Sequence, residues 1–531
     1  MASEHESSET GGPVRPQTPA ARRRAGSDPP QDPGVELASL EESAAEDAEI
    51  GPATAPEPPE AALGSESGPA SEAPTTSGSA RAPRYALAPG AGVGSRPAPG
   101  RRSEAASTRD RAVALLALGS ATGVLLFLLL SLGSSGSPVP SVGDFRAEAS
   151  RRVVAPGGWI ALTGSDAPQG TKLVLETRMD DGPWRRAGSS TSDDEGAFRV
   201  EGRVLARPGP LAVRARVPRL GASAPVAVSV RPLRLASVGD INLGDAPGAA
   251  IAANGPRYPW TSVGKVLRGA DIAFGNLECA VSERGEPFPK QFSFRGTPAA
   301  LKGLRRHSGI DVLNLANNHV GDFGRVATVD TVRAVERLGM RAVGAGPDLR
   351  RALAPQIVER LGLRVAFVGF SAIAPIEFAA GDDSPGTAWA SAESITRAVR
   401  DARRRADVVV ATFHWGIEKA TYETAEQRAL AQAAVAAGAQ LVIGAHPHVL
   451  QPLRREGAAL VAYSLGNFVF GAGSPGTAST GILEVGLTAE GVGTARWRAG
   501  HIAGGRPLLD SKRARRLPIR DTEATAAGIS L

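Results

Sequence analysis

The sequence has 531 residues, a formal net charge of +6 and a single cysteine. This length exceeds what one hydrophobic core usually organises, so it predicts more than one structural unit. With Cys279 alone, an intrachain disulfide and a zinc site built from several thiolates are excluded. The basic residues are scattered among acidic ones without an aromatic-interleaved stripe, so we expect no nucleic-acid partner.

The N-terminal region is polar. Residues 1–110 are rich in Ala, Pro, Gly, Ser and Glu and contain little that could be buried. Such a segment cannot repay the entropy lost on ordering. We therefore expect a disordered tail here.

An apolar segment follows at residues 111–132. Its uncharged part, 112–132, reads AVALLALGSATGVLLFLLLSL, which as a helix is long enough to cross a hydrocarbon layer of about 30 Å. Because about 110 residues precede it, an uncleaved signal anchor fits better than a cleaved signal peptide. Several arginines lie just before it, whereas the first basic residue after it is Arg146. The positive-inside bias then predicts a single-pass cell-membrane protein with a cytoplasmic tail and extracytoplasmic C-terminal domains.

Residues 139–231 alternate apolar and polar side chains in short runs, for example at 172–177 and 211–215. Gly, Pro and Asp-Gly turns separate these runs. The pattern predicts a small Ig-like β-sandwich. We see no titratable cluster in it, which favours a spacer or a binding module.

From residue 233 to 507, buried strands alternate with helical stretches, which predicts a layered α/β domain. Residues 508–531 are expected to form a C-terminal tail. The predicted strands are 235–238, 272–275, 312–315, 365–370, 408–413 and 441–444, and the predicted helices are 299–306, 325–338, 391–405 and 424–437.

Polar residues of metal-ligand type follow the predicted strands. In α/β sheets the functional site lies at the carboxyl ends of the strands, so these segments can converge. Together they offer oxygen and nitrogen donors suited to divalent Mn, Fe, Zn or Mg. Two such ions about 3.5–4 Å apart can generate hydroxide and stabilise displacement at phosphorus. The residues are Asp240, Glu278, Asn317, Asn318, His319, His414, His446 and His448.

The histidines carry the most specific part of this pattern. Four of the seven in the chain lie in these strand-end motifs. A single histidine at a strand end is more often a hydrogen-bonded structural residue. His446 and His448 form a stronger pair, because a spacing of two places both imidazoles on one side of an extended segment.

The order of these motifs resembles the CapA-type poly-γ-glutamate capsule synthesis family, a branch of the calcineurin-like metallophosphoesterases, over about residues 233–470. The resemblance implies a layered α-β-β-α sandwich that binds two divalent metal ions, alternatively one. It also implies that His319 is the general acid or a phosphate-contacting residue. The implied metal ligands are Asp240, Glu278, Asn318, His414, His446 and His448.

The sequence departs from the superfamily pattern at two points. A histidine usually stands two residues after the first aspartate, where this chain has Asn242. The second motif is Asn-Leu-Glu in place of Gly-Asp-x-x-Asp. Both departures weaken one metal position.

Further residues are candidates for substrate binding. Arg295 could clamp an anionic substrate with two hydrogen bonds, or it could be a surface arginine. Asn317 is a second candidate. Asn467 could contact a substrate oxygen, orient a metal ligand, or simply form a turn. Glu418 could provide a second hydrogen bond to a ligand imidazole.

Two functions remain open at this point. The first is a metal-dependent phosphoesterase-like hydrolase, acting outside the membrane in biosynthesis or export of a capsule or exopolymer. The second is a non-catalytic polymer-binding or scaffold subunit of a membrane capsule-synthesis complex, with a structural metal or none. Either function implies as partners the membrane, an anionic polymer such as poly-γ-glutamate, and other membrane subunits.

Overall fold

The computed structural model describes residues 145–510 and 515–517. The expected disordered tail at 1–110 and the apolar segment at 111–132 lie outside these residues. Within the described part, no helix combines the length and apolarity needed to span a membrane. The membrane anchor therefore stays a prediction from the sequence.

The described chain begins with a sandwich of two β-sheets. Its strands are β1 (Arg146–Ala149), β2 (Val153–Val154), β3 (Trp159–Ser165), β4 (Lys172–Met179), β5 (Arg185–Thr191), β6 (Phe198–Arg203), β7 (Gly209–Val217), β8 (Gly221–Ala222) and β9 (Val226–Val230). One sheet has the order β1-β3-β6 and the other β2-β9-β7-β4-β5, with β8 beside β7. Leu162, Leu175 and Val213 lie in the core between them.

A larger α/β unit follows. Its strands are β10 (Leu233–Ile241), β11 (Ile272–Leu277), β12 (Ala280–Val281), β13 (Arg295–Gly296), β14 (Val312–Asn314), β15 (Arg341–Val343), β16 (Ala345–Gly346), β17 (Gln356–Arg360), β18 (Leu363–Ser371), β19 (Gly386–Thr387), β20 (Val408–His414), β21 (Leu441–Ala445), β22 (Leu453–Glu456), β23 (Ala459–Ala462), β24 (Asn467–Val469), β25 (Ser479–Thr488), β26 (Gly491–Ala503), β27 (Arg506–Leu509) and β28 (Arg515–Leu517). Its helices are α1 (Asp245–Asn254), α2 (Gly264–Arg268), α3 (Pro298–Ser308), α4 (Gly324–Arg337), α5 (Leu349–Ala352), α6 (Ala392–Arg405), α7 (Ala425–Ala437) and α8 (Pro475–Ala478).

Two large sheets organise this unit. The first has the order β15-β14-β11-β10-β25-β26-β27, and β10, β11, β14 and β15 run parallel in it. The second has the order β17-β18-β20-β21-β23-β22, with β18, β20, β21 and β23 parallel. Parallel neighbours need crossover connections, which the helices supply.

The two sheets stack with helices on both outer sides. Helix α3 covers the first sheet, where Leu304 packs in one core with Leu313. Helices α6 and α7 cover the outer face of the second sheet. The facing sides share a central core in which Phe274 and Phe367 stack with ring centroids 5.9 Å apart. The result is four layers, α-β-β-α, and the predicted mixed α/β fold is confirmed.

Local sequence explains where two of the helices begin. Helix α6 starts after Ser391 and helix α7 after Thr424, and each of these residues forms a capping box with the residue three positions later. The box satisfies backbone N–H groups that the first turn leaves without partners. Gly438, in a left-handed conformation with φ of 114°, ends α7.

The C-terminal segment differs from the expected tail. Strand β27 extends to Leu509, and β28 pairs with β26. Leu517 is 4% exposed and belongs to the core between the two sheets. A strand of three residues is too short to show a periodic pattern, so the sequence could not indicate it.

Candidate metal centre

Strand ends from both sheets meet at one buried place. Asp240 lies near the end of β10, Glu278 follows β11, and His414 ends β20. All three side chains are 0% exposed. His446 follows β21 directly and is 5% exposed. The convergence expected at the carboxyl edge of the strands is therefore present.

Glu278 lies at the centre of this group. Its Oε1 atom is 3.6 Å from Nε2 of His414, 3.8 Å from Nε2 of His319 and 3.8 Å from Nε2 of His448. Neither carboxylate oxygen accepts a hydrogen bond from the described residues. Burial, together with the charge of Asp240, raises the pKa of Glu278 well above its usual value. A buried carboxylate without donors requires a proton or a cation.

His446 and His448 adopt an unusual backbone. Their φ angles are 95° and 59°, in the left-handed region that side chains other than glycine rarely enter. The expected extended segment is therefore wrong, because the strand ends at Ala445. The rings are nevertheless close, with centroids 5.9 Å apart, and the His446 ring centroid is 4.8 Å from that of His414.

The three imidazoles have different proton affinities. Burial lowers the pKa of His446 to about 3 and that of His414 well below its usual value. Burial also opposes protonation of His448, yet the hydrogen bond and charge of Asp240, together with Asn467 and Glu418, outweigh burial and raise the pKa of His448. At neutral pH His446 and His414 are thus neutral nitrogen donors, whereas His448 keeps its proton to higher pH than a free imidazole, and a cation competes with that proton.

Asp240 is fixed by three neighbours. Its Oδ1 accepts a hydrogen bond from Nδ2 of Asn276 at 2.8 Å. Its Oδ2 lies 3.4 Å from Nδ1 of His448 and accepts a bond from the backbone N–H of His446 at 3.2 Å. Asn467 Oδ1 also lies 2.8 Å from Nδ1 of His448. Of the roles expected for Asn467, the geometry matches that of orienting a ligand.

Asn276 is a residue that the sequence reasoning missed. Its Nδ2 lies 3.2 Å from Nδ1 of His414 as well as bonding to Asp240. Its Oδ1 accepts a bond at 2.9 Å from Asn314, whose own Oδ1 accepts one from Thr412 on the second sheet. This buried chain of amides ties the two sheets together beneath the site. Asn276 is the first residue of the Asn-Leu-Glu motif, but the sequence pattern assigned the metal-ligand role to Glu278, two residues later.

Asn317 and Asn318 make different hydrogen bonds. Asn318 Oδ1 lies 2.8 Å from Nε2 of His414, inside the cluster. Asn317 instead points to the backbone, where Oδ1 accepts from the N–H groups of His319 and Val320 and Nδ2 donates to the carbonyl oxygen of Leu277. Both polar side-chain atoms of Asn317 are engaged in these hydrogen bonds. We therefore assign Asn317 to shaping the turn and not to binding substrate.

His319 belongs to a second hydrogen-bonded group at the edge of the cluster. Its Nδ1 lies 2.8 Å from Oδ2 of Asp322, and its ring stacks on Phe294 with centroids 4.2 Å apart. Lys290 Nζ lies 2.5 Å from Oδ1 of Asp322 and 3.2 Å from Nδ1 of His319. Burial lowers the pKa of His319, although Asp322 opposes this. A neutral ring that donates Nδ1–H to Asp322 presents Nε2 towards Glu278 as a proton acceptor.

Lys290 and Asp322 were also missed by the sequence reasoning. Asp322 follows His319 by three residues, a spacing that could have drawn attention to it. Lys290 lies 29 residues before His319 in a loop and gave no signal. Burial lowers the pKa of Lys290, although its pairing with Asp322 acts in the opposite direction.

Arg295 is held by the loop that precedes it. Its guanidinium lies 3.6 Å from the ring centroid of Phe323 and donates to the carbonyl oxygen of Gly285 at 2.7 Å. Glu418 lies on the other side of the site, exposed, with a carboxylate oxygen within 4.8 Å of nitrogens of His446 and His448. Substrate binding by Arg295 stays a prediction.

The cluster fits a divalent cation. Three sets of side chains place one donor atom each within 4.8 Å of one another. The donors are carboxylate oxygens and imidazole nitrogens, which bind Zn, Mn or Fe at about 2.0–2.2 Å. A cation would also supply the partner that Glu278 and Nδ1 of His446 lack among the described residues. The sets are Asp240, Glu278 and His448; Glu278, His414 and His446; and Glu418, His446 and His448.

Comparisons with known proteins agree with this arrangement of motifs. The family described as "Bacterial capsule synthesis protein PGA_cap" matches residues 234–472. The "PGA biosynthesis protein CapA" of Bacillus subtilis (strain 168) is 31% identical over 48% of this chain and 68% of its own length. The "Capsule biosynthesis protein CapA" of Bacillus anthracis is 30% identical over 55% of this chain and 74% of its own.

A solved structure, the NAD nucleotidase of Haemophilus influenzae, matches 55% of this chain and 59% of its own with 13% identity. Its TM-score of 0.31 is too low to transfer any residue role. The family match and the two CapA relatives define the class: a layered α/β protein with the motifs of bacterial capsule synthesis proteins. The chain belongs to the CapA-type capsule synthesis family.

Proposed function

We propose that this chain is a membrane-anchored, extracytoplasmic protein of capsule or exopolymer biosynthesis, of the poly-γ-glutamate type, with a divalent-metal hydrolase site. The names of its relatives support the capsule role. The apolar segment at 111–132 supports the anchor and the orientation. The α-β-β-α layering and the strand-end cluster support a metallophosphoesterase-like site.

One observation carries the metal-site proposal. Glu278 is fully buried, accepts no hydrogen bond from the described residues, and has imidazole nitrogens of His319, His414 and His448 within 3.8 Å. An uncompensated buried carboxylate is strongly destabilising. Asp240, Glu278, Asn318, His414, His446 and His448 would hold the cation, which when bound supplies Lewis-acid activation of water or of a phosphoryl or carbonyl oxygen.

The protein's own residues would handle the proton. His319 holds its Nδ1 proton on Asp322, so Nε2 is free to take or return a proton at the reacting group. Asp322 then stabilises the imidazolium, and Lys290 keeps the Asp322 carboxylate paired throughout. Phe294 stacks on the ring and fixes its orientation. The substrates that suit this arrangement are a phosphoester and the amide bond of an anionic polymer.

A non-catalytic, polymer-binding role is the second candidate, and Asn242 favours it. This asparagine stands where the superfamily has a metal-binding histidine. Its Oδ1 accepts a bond from the backbone N–H of Gly244 at 2.8 Å, which turns the amide towards the start of helix α1. The chain therefore has one metal-ligand position fewer.

The deciding experiment measures metal content and turnover together. The full-length protein is purified in detergent, analysed for bound metals, and assayed with phosphomonoester, phosphodiester and poly-γ-glutamate substrates in added Mn²⁺. Near-stoichiometric metal with turnover that disappears on chelation supports the hydrolase. Bound metal without turnover on any substrate selects the second candidate, and no metal under any loading condition contradicts both the metal site and the hydrolase.

A further inference from the structure

A large groove lies on the first sheet, away from the metal centre. It has a volume of 970 Å³ and runs between helix α2 and strand β26, over β10 and β25. Apolar groups form much of its floor and wall, including Leu235, Val266 and Leu509. This volume is near the upper end of the range of about 300–1,000 Å³ for small-ligand sites.

The floor of the groove is closely packed around Gly486. Arg234 on β10 pairs with Gly486 on β25, which in turn pairs with Thr494 on β26. A Cβ atom on Gly486 would lie 2.5 Å from Oγ1 of Thr494 and 3.1 Å from Pro232. A side chain at residue 486 would therefore displace Thr494 or Pro232, both of which line the groove.

The lining of the groove is strongly basic, with five cationic side chains against one carboxylate. Two of the cations are ion-paired, Arg231 with Asp271 at 2.6 Å and Arg498 with Glu484 at 3.1 Å. The other three are the exposed side chains of Arg234, Lys265 and Arg496.

No side-chain ion pair involves these three cations among residues 145–510 and 515–517, although Arg234 lies beside Asp271. The guanidinium of Arg234 donates to the carbonyl oxygen of Gly269, and the backbone N–H of Arg234 donates to Oδ2 of Asp271 at 2.8 Å. Lys265 lies on helix α2, and Arg496 lies on β26 across the groove. Positive charge on both sides of an apolar floor attracts an anionic ligand and concentrates it there.

The groove is separate from the metal centre. Arg234 lies near the start of β10 and Asp240 near its end, six residues further along. At about 3.3 Å per strand residue, the two positions are roughly 20 Å apart. A ligand in the groove therefore does not contact the cluster around Glu278, and the groove can hold a polymer without taking part in chemistry.

We infer that this groove binds an extended acidic polyamide chain with a carboxylate on every residue, and so acts as a holding site for the polymer. The charge arrangement selects that ligand, because its carboxylates meet Arg234, Lys265 and Arg496 while its methylene groups cover the apolar floor. The identity of the polymer rests on the proposed function, and the groove itself rests on the structure. A holding site raises the local polymer concentration for any process at the membrane.

The test is fluorescence anisotropy with labelled poly-γ-glutamate and the full-length protein in detergent, at low and high salt. The double charge reversal K265E/R496E should weaken binding by at least about tenfold at low salt. High salt should weaken binding to the unmodified protein, because the contacts are solvent-exposed charge pairs. Unaltered binding by K265E/R496E would overturn the inference.

A matched control separates the groove from overall charge. K172E/R185E also reverses one lysine and one arginine, both exposed, in the β-sandwich. Binding by this variant should stay within about twofold of the unmodified protein, since charges beyond a Debye length are screened. An equal loss in both variants would assign binding to net charge and overturn the groove. Equal affinity for polyphosphate of matched charge would overturn the assignment to a polyamide.

A third variant distinguishes this inference from the proposed hydrolase. H446A/H448A should lose metal yet bind labelled poly-γ-glutamate as the unmodified protein does. If polymer binding disappears with the metal, the polymer binds at the cluster and the groove assignment is wrong. If no turnover is ever found but K265E/R496E selectively loses binding, the hydrolase fails and the groove stands.

Discussion

Nδ1 of His319 lies 2.8 Å from Oδ2 of Asp322, a carboxylate that is 0% exposed and also accepts the backbone N–H of Phe294 at 2.6 Å. This bond fixes the tautomer of the ring and aims Nε2 at Glu278. It does not depend on a metal. The pair can therefore be tested independently of metal binding.

For the proposed hydrolase, Asp322→Asn should reduce turnover by at least about 100-fold while bound metal is retained, since general acid–base catalysis typically contributes 10²–10⁴-fold. The Asp322 charge raises the pKa of His319 against the effect of burial. Removing that charge lowers the pKa further, so the acid limb of the rate profile should move to lower pH. Turnover is measured across pH together with metal content.

A matched control for this variant is Asp330→Asn. Asp330 is also ion-paired, with Arg284 at 2.5 Å, but on the surface of helix α4. Turnover and its pH dependence should be unchanged in this control. A normal rate profile in Asp322→Asn would remove the His319 and Asp322 pair from the proposed mechanism.

His446→Ala and His448→Ala should each lower metal affinity by about 10- to 100-fold or more. Each imidazole lies in two of the three donor sets. The measurement is metal content after dialysis against a weak chelator. His307→Ala provides the control, because His307 lies in the last turn of α3 outside all three sets. Retention of metal by both cluster variants would contradict the assignment.

Metal binding should release protons, because a bound cation replaces protons held by its ligands. Burial raises the pKa of Glu278, and the hydrogen bond and charge of Asp240 raise that of His448 against the effect of burial, so in the metal-free chain both groups keep their protons to higher pH than free side chains do. Metal affinity should then rise as pH rises through these values. Calorimetry in buffers of different ionisation enthalpy measures the proton count. No proton release would mean that both groups are already deprotonated in the metal-free protein.

Gly444→Ala should destabilise the protein by about 1–3 kcal/mol and reduce metal binding. A Cβ atom at Gly444 would lie 1.9 Å from the carbonyl oxygen of Tyr463 and 2.4 Å from Nε1 of Trp415. Those two groups are hydrogen-bonded to each other at 2.9 Å. His446 follows two residues later, so the displacement reaches the site. Denaturant unfolding measures the stability.

Gly473→Ala is the corresponding control. No heavy atom lies within 4 Å of a Cβ atom built there, and its backbone is not in the left-handed region. Its stability should match that of the unmodified protein. Equal stability of Gly444→Ala and Gly473→Ala would show that the packing around Trp415 adapts without cost.

Periodicity predicted six strands and four helices of the α/β unit, because buried parallel strands such as 408–413 are continuous apolar runs between helical segments. It did not predict helix α1, the long antiparallel strands β25 and β26, or β28. The pairing order within the sheets was also beyond its reach, because β25 joins β10 from more than 230 residues away and no local pattern encodes that contact.

The candidate site was predictable only in part. Strand-end position found Asp240 and His414, because topology alone brings strand ends together. It could not find Lys290, which reaches Asp322 from an irregular loop. The spacing argument for His446 and His448 predicted their proximity for the wrong reason, since both residues lie beyond the strand in a left-handed conformation.

The donors of the cluster are widely separated in the chain, and this determines when a cation can be captured. Asp240 and Glu278 come from the first sheet, whereas His446 and His448 follow β21 of the second, about 200 residues later in synthesis. A bound cation would act as a cross-link between the two halves, stabilising only the completed fold. A nascent chain that has not yet added His414 holds two carboxylates without the imidazoles that complete the site. Loading would therefore be a late event, and a bound metal would report that the whole α/β unit has folded.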